Sequence, residues 1–134
     1  MLVLVLSGCG SNEAGPAPTN PTQEPGPDPL LLKVEALSAD QCFLIPEQQR
    51  PKGCEKYVTE LGNTAAMVRK RAGSKDTHLA TLADQLDKAV NAYRGNACNT
   101  VETSGKGPCT QALSDISTTL DAIKTRVNNQ ATTG

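Results

Sequence analysis

The sequence predicts an all-α fold, a small antiparallel bundle of three or four helices stapled by two disulfides and preceded by a disordered Pro-rich tether. Three observations predict it. Apolar residues return at the spacing of a buried helix face along most of the chain after residue 29. No alternating strand pattern of useful length occurs. Four of the five cysteines fall where successive helical stretches end and begin. The chain has 134 residues, of which about a hundred follow the tether, enough for one compact domain.

The tether comes first. From residue 10 to residue 29 the chain holds six of its nine prolines and no apolar residue larger than Ala. Nothing in that stretch offsets the entropy of ordering. About twenty such residues reach ~60 Å in polyproline II and ~25 Å as a flexible coil, so a folded head can stand clear of whatever holds its N-terminal end.

The head opens on a helix signal. Asp28 can accept from first-turn amides, and Pro29 has no amide to leave unsatisfied. Leu30, Leu31, Val34 and Leu37 follow at helical spacing, with Lys33 and Glu35 on the other side. Ser38 and Gln41 form a second candidate capping box, so the helix either breaks near Ser38 or runs on to Ile45. Pro46 and Pro51 bracket the first loop.

Three clearer stripes follow. Tyr57, Val58, Leu61, Ala65, Val68 and Ala72 mark one; Arg69, Lys70 and Arg71 complement the dipole of its last turn, and Gly73 ends it. Ser74 is the expected cap of the next, which carries Leu79, Leu82, Ala83, Leu86, Val90 and Tyr93 and stops at Gly95. Pro108 starts the last, with Ala112, Leu113, Ile116, Leu120, Ile123 and Val127 facing inward. The bundle is expected to occupy residues 30–130, with 131–134 a disordered tail. Short connections such as Gly73-Ser74 make neighbouring helices antiparallel.

In that arrangement Cys42, Cys54, Cys98 and Cys109 share one end of the bundle. Four cysteines allow three pairings. Pairing Cys42 with Cys54 and Cys98 with Cys109 closes each loop onto its own helix ends, and each bridge is worth ~3 kcal/mol in the chain-entropy model. A four-thiolate zinc site is the rival, but its pairs normally carry gaps of about two to four residues. Here eleven and ten residues intervene.

The fifth cysteine carries a different message. Leu6-Ser7-Gly8-Cys9 follows the apolar run Met1 to Leu6, and this layout resembles the lipobox of bacterial lipoproteins, in which Leu, two small residues and Cys mark lipid transfer and cleavage. The resemblance implies that Cys9 becomes the lipidated N-terminal residue. No Lys or Arg precedes Cys9, and the apolar run is shorter than the roughly 7 to 15 residues of an export signal. Residues 1–8 are therefore read as part of a signal peptide that starts further upstream, and residues 9–29 as the anchored linker. No segment approaches the ~20 apolar residues of a membrane span. The Pro-rich tether, few aromatics and Ala/Thr-rich helices are also similar to those of small actinobacterial lipoproteins. An exported chain meets an oxidising compartment, which suits disulfides. Entered from the tether, the first helix would point the cysteine end away from the membrane.

Composition excludes several functions. The formal net charge is -1 and the signs are mixed, so no basic field for phosphate backbones exists and nucleic acid is not an expected partner. Phe43, Tyr57 and Tyr93 are the only aromatic residues, which argues against a stacking site. His78 has no evident partner for general-base or ligand work. Asp84, Asp87, Asp115 and Asp121 read as solvated helix charges. Ser104-Gly105-Lys106-Gly107 lacks the preceding strand and the Lys-Ser/Thr pair of a phosphate loop. No enzyme, cofactor or metal is expected.

The function expected from these features is a noncatalytic lipoprotein of the cell envelope, held on the extracytoplasmic face by the lipid on Cys9. Its distal loops, 46–53 and 99–107, would contact an envelope protein or a wall component. The alternative is a carrier that holds a lipid or other apolar ligand between helices. Titration of the denatured, unreduced protein should find no free thiol at Cys42, Cys54, Cys98 or Cys109; four reactive thiols there would remove the staples from the fold.

Overall fold

The computed structural model describes residues 26–133. Five helices form: α1 (Pro29–Leu37), α2 (Gln41–Leu44), α3 (Glu55–Ala72), α4 (Thr77–Gly95) and α5 (Pro108–Thr133). Three 3₁₀ turns, Pro46–Gln48, Pro51–Cys54 and Cys98–Thr100, shape the connections. No strand occurs among the described residues. Cys9 and the expected linker as far as residue 25 lie outside them.

Helices α3, α4 and α5 run up and down and pack in sequence, while α1 packs on both α3 and α5 and closes the ring. The architecture is the expected one, a four-member bundle whose first member is short and broken. Every residue of the three long stripes is buried. Leu61, Leu79, Leu86, Leu113, Ile116, Leu120 and Ile123 are wholly so. Each such side chain contributes about 1.5–3 kcal/mol relative to exposure. Thr64, also fully buried, satisfies its hydroxyl on the Glu60 carbonyl of its own helix at 2.8 Å.

The first helical stretch breaks at Ser38. Ser38 proves to be the cap at the end of α1 rather than the start of α2: its backbone amide and hydroxyl both donate to the Val34 carbonyl, at 2.9 and 2.6 Å. The carboxylate of Asp40 caps α2 instead, accepting from the Cys42 amide at 2.8 Å. A similar substitution of carboxylate for hydroxyl occurs before α4. Asp76, not Ser74, accepts from the Leu79 amide at 3.0 Å. It also takes Arg126 at 2.9 Å and Gln130 at 2.7 Å from α5, bonds a serine at position 74 is not placed to make.

Both ends of the expected bundle move outward. Asp28 and Pro29, assigned to the linker, belong to the head: Asp28 accepts from the Leu30 and Leu31 amides and pairs with Arg71. The expected disordered tail is helical through Thr133. The Asp76–Gln130 bond holds the last turns, the Thr132 and Thr133 hydroxyls donate to the Asn129 carbonyl at 3.0 and 2.9 Å, and no Gly or Pro intervenes before Gly134.

Gly73 ends α3 with φ +53, as its position in the sequence implies. At the end of α4 the chain behaves differently. Gly95 stays inside the helix, Asn96 caps it by donating from backbone and side chain to the Ala92 carbonyl, and the left-handed residue is Ala97, with φ 50 and ψ 40. A Cβ in that region costs roughly 1 kcal/mol, and Gly carries no such cost. Ala97→Gly is therefore expected to raise unfolding stability by about 1 kcal/mol in urea denaturation; a fall of that size would contradict the left-handed conformation.

Candidate functional site at the distal end

The two loops singled out in the sequence meet at one end of the bundle. Cys42–Cys54 and Cys98–Cys109 form the disulfides, with Cα separations of 5.9 and 5.5 Å, in the expected local pairing. All four sulfurs are taken up, so the rival thiolate set for zinc does not form. The Lys52 amide donates to the Val101 carbonyl at 2.8 Å and joins one loop to the other. Beside it, Lys52 and Glu102 form an ion pair at 3.4 Å between exposed side chains, worth about 0–1 kcal/mol.

Tyr93 fixes this platform from below. Its ring belongs to the core, and its hydroxyl donates to the Pro51 carbonyl at 2.7 Å, a buried bond between α4 and loop 46–53. Pro46 and Pro51 are buried, whereas residues 102–108 are exposed. On the α5 side, the Ser117 hydroxyl donates to the Cys42 carbonyl at 3.4 Å. Both loops are thus backed by helices, and exposed polar side chains cover them.

Two clefts open around Gly53. The larger, about 570 Å³, lies between α1 and α3 and is lined by Lys33, Leu37, Asp40, Lys56, Tyr57 and Glu60 among others. The smaller, about 380 Å³, lies beside Arg50, Lys52 and Glu102. Lys33 pairs with Glu60 at 3.1 Å. Among the described residues Arg50, Asp40 and Lys56 form no ion pair. Tyr57 is buried, and its hydroxyl is turned inward toward Ser117 of α5.

Burial sets the acidity of both tyrosines. For Tyr93, burial and then the Glu55 carboxylate push the phenol up to about 12. For Tyr57, burial raises it well above the phenol range; the facing Ser117 hydroxyl opposes this in part, and Asp40 adds to it. At the opposite end, the Arg71 guanidinium beside Asp28 and the Arg126 guanidinium beside Asp76 hold those carboxyls below their usual range.

The remaining candidates from the sequence are dispersed. His78 is exposed in the first turn of α4, at the end opposite the disulfides. Asp84 and Asp87 hold Arg69 at 2.8 and 2.7 Å. Asp115 accepts from Gln111 at 2.8 Å, and Asp121 is exposed. Residues 104–107 are an exposed loop. Among the described residues, no group of three or more His, Cys, Asp or Glu side chains could hold a metal ion, and no helix is long and apolar enough to cross a membrane. Sequence reasoning missed Asp40, Lys56 and the platform role of Tyr93. The spacings 33, 36, 37 and 56, 57, 60 place residues on one face of each helix but give no sign that the two faces meet.

Comparison with protein families, with curated proteins and with solved structures finds no match for this chain.

Tyr93 yields a pH prediction. Below pH 10 the phenol is neutral in both states; between about 10 and about 12 the unfolded chain releases its proton while the folded chain keeps it. Stability is therefore full below pH 10 and falls as pH rises toward 12, with Tyr57 acting in the same direction. Urea midpoints taken at rising pH should drop over that window, and a smaller drop is expected in Tyr93→Phe. A midpoint independent of pH would contradict the buried phenols.

Proposed function

We propose that the protein is a noncatalytic lipoprotein of the cell envelope, anchored through a lipid on Cys9 and working through the disulfide-fixed loops at the far end of its head. The observation that carries this reading is the polarity of the bundle. Asp28, where the head begins, pairs with Arg71 near the C-terminus of α3, whereas Cys54 precedes the N-terminus of the same helix. They stand seventeen positions apart along the helix, about 25 Å at 1.5 Å per residue. A chain moored N-terminally to residue 28 would thus present loops 46–53 and 99–107 on its outermost surface.

The lipobox-like Leu6-Ser7-Gly8-Cys9 supplies the mooring, and the paired cysteines suit an oxidising compartment. The partner of the loops is an envelope protein or a wall component. The carrier alternative is less well supported, because the two clefts at the distal end are lined by Lys, Arg, Asp and Glu together with small and apolar residues, a poor match to an acyl chain.

Metabolic labelling with a fatty-acid probe tests the anchor. The full-length product should take up the probe and fractionate with membranes, and Cys9→Ala should do neither. Replacing each loop by a Gly/Ser linker of equal length, with its cysteines kept, should abolish cross-linking to the partner; an unlabelled product, or unchanged cross-links, would end the corresponding half of the proposal.

A further inference from the structure

The cleft between α1 and α3 has features that the general reading leaves unused. Residues 33, 36, 37 and 40 form one face of α1 and the turn after it, and residues 56, 57 and 60 form the facing side of α3. The Lys33–Glu60 ion pair spans the cleft toward the proximal end. At the distal end Asp40 lies on one wall and Lys56 on the other, and among the described residues neither has an ion-pair partner. Leu37 and Tyr57 contribute the apolar lining.

One further observation marks this as a preformed place. The Cys42–Cys54 bridge begins two residues beyond Asp40 and ends two residues before Lys56, so the walls bearing the free charges are covalently held together. Gly53, which lines the cleft, is exposed, and a Cβ built there meets no atom within 4 Å, so a larger side chain can be introduced there without a clash. The volume, about 570 Å³, is that of an ordinary small-molecule site.

We propose that this cleft binds a zwitterionic ligand of the amino-acid or short-peptide class, its carboxylate held by Lys56, its ammonium by Asp40 and its apolar part laid over Leu37 and Tyr57. Asp40 and Lys56 are both exposed, so a simple anion drawn to Lys56 would be repelled by Asp40 across the cleft, and a simple cation would meet the reverse. An uncharged ligand would engage neither charge. Only a ligand with both charges satisfies both walls. The proposal rests on the reading that the distal end is the working end, and it is independent of the lipid.

The test uses the full chain as Cys9→Ser, with Ala-Ala as probe and titration followed by calorimetry or amide chemical shifts. Binding is expected in the range of about 1 mM or tighter. N-acetyl-Ala-Ala and Ala-Ala-amide, each lacking one charge, should bind at least about tenfold more weakly, the loss of one charge-assisted contact. Lys56→Gln should remove the preference for the free carboxylate. Asp40→Asn, which keeps a cap for α2, should remove the preference for the free ammonium. Gly53→Leu should fill the cleft and abolish binding, with an unchanged circular dichroism spectrum as the control for folding.

Absence of Ala-Ala binding, or equal binding of the blocked peptides, overturns the proposal without any variant. Loss of binding in Lys52→Gln with retention in Lys56→Gln would move the ligand to the neighbouring cleft and overturn it as well. Failure here with loop replacements still losing the partner would sink only the ligand class, whereas unchanged partners together with peptide binding would sink the loop reading and leave the cleft.

Discussion

The pairing of Cys42 with Cys54 is the constraint on which the first third of the head depends. Helices of nine and four residues are too short to persist alone in water, and α1 buries only Leu30 and Val34 fully. The bridge joins the end of this broken stretch to the start of α3, one of the two long helices on which α1 packs. Cross-linking removes loop freedom from the unfolded chain, and the effect of a loop of this length is ~3 kcal/mol. In a core built from Leu, Ile, Val and Ala around a single wholly buried tyrosine, that is a large share of a typical net stability of ~5–15 kcal/mol.

The two ends of the bundle are held by different physics. Covalent bonds, a backbone bond from Lys52 to Val101 and the Tyr93–Pro51 bond fix the distal end. At the proximal end two carboxylates do the work, each of them capping a helix and binding an arginine of another: Asp28 with Arg71, and Asp76 with Arg126. Both carboxyls are held below their usual range, so what they contribute is present above about pH 4 and is lost as pH falls through their folded-state values. Acid loosens one end and reductant the other.

The helices were legible because their burial follows a single period, and every residue placed in the three long stripes is buried. The cysteine pairing was legible because each pair brackets one loop. Caps were less so. Ser38 and Ser74 stand two residues from Asp40 and Asp76, and the choice between hydroxyl and carboxylate was made by tertiary partners such as Arg126 and Gln130. Ala97 in a left-handed turn carries no local signal at all, since Gly95 is the residue that advertises one. Of the distal site, the loops could be found from the cysteines that delimit them. Asp40 and Lys56 could not, because a lone charge on a helix reads as an ordinary solvated residue until the opposite wall is known. Tyr93 was read as core, and its polar tip found its role only in contact with Pro51.

The direction of α1 also has a mechanical meaning. It begins at the Asp28–Arg71 pair and runs lengthwise along α3 toward Cys42, so tension arriving from the N-terminal side would shear it out of its groove rather than peel it sideways. Such stripping can release residues 29–41 and no more, because Cys42 is bonded to the start of α3. Thirteen freed residues span roughly 45 Å at full extension, and the reach gained is that length less the distance they already cover when folded. The three long helices and both distal loops would ride through the pull intact, on a fuse whose length is set by the position of one sulfur.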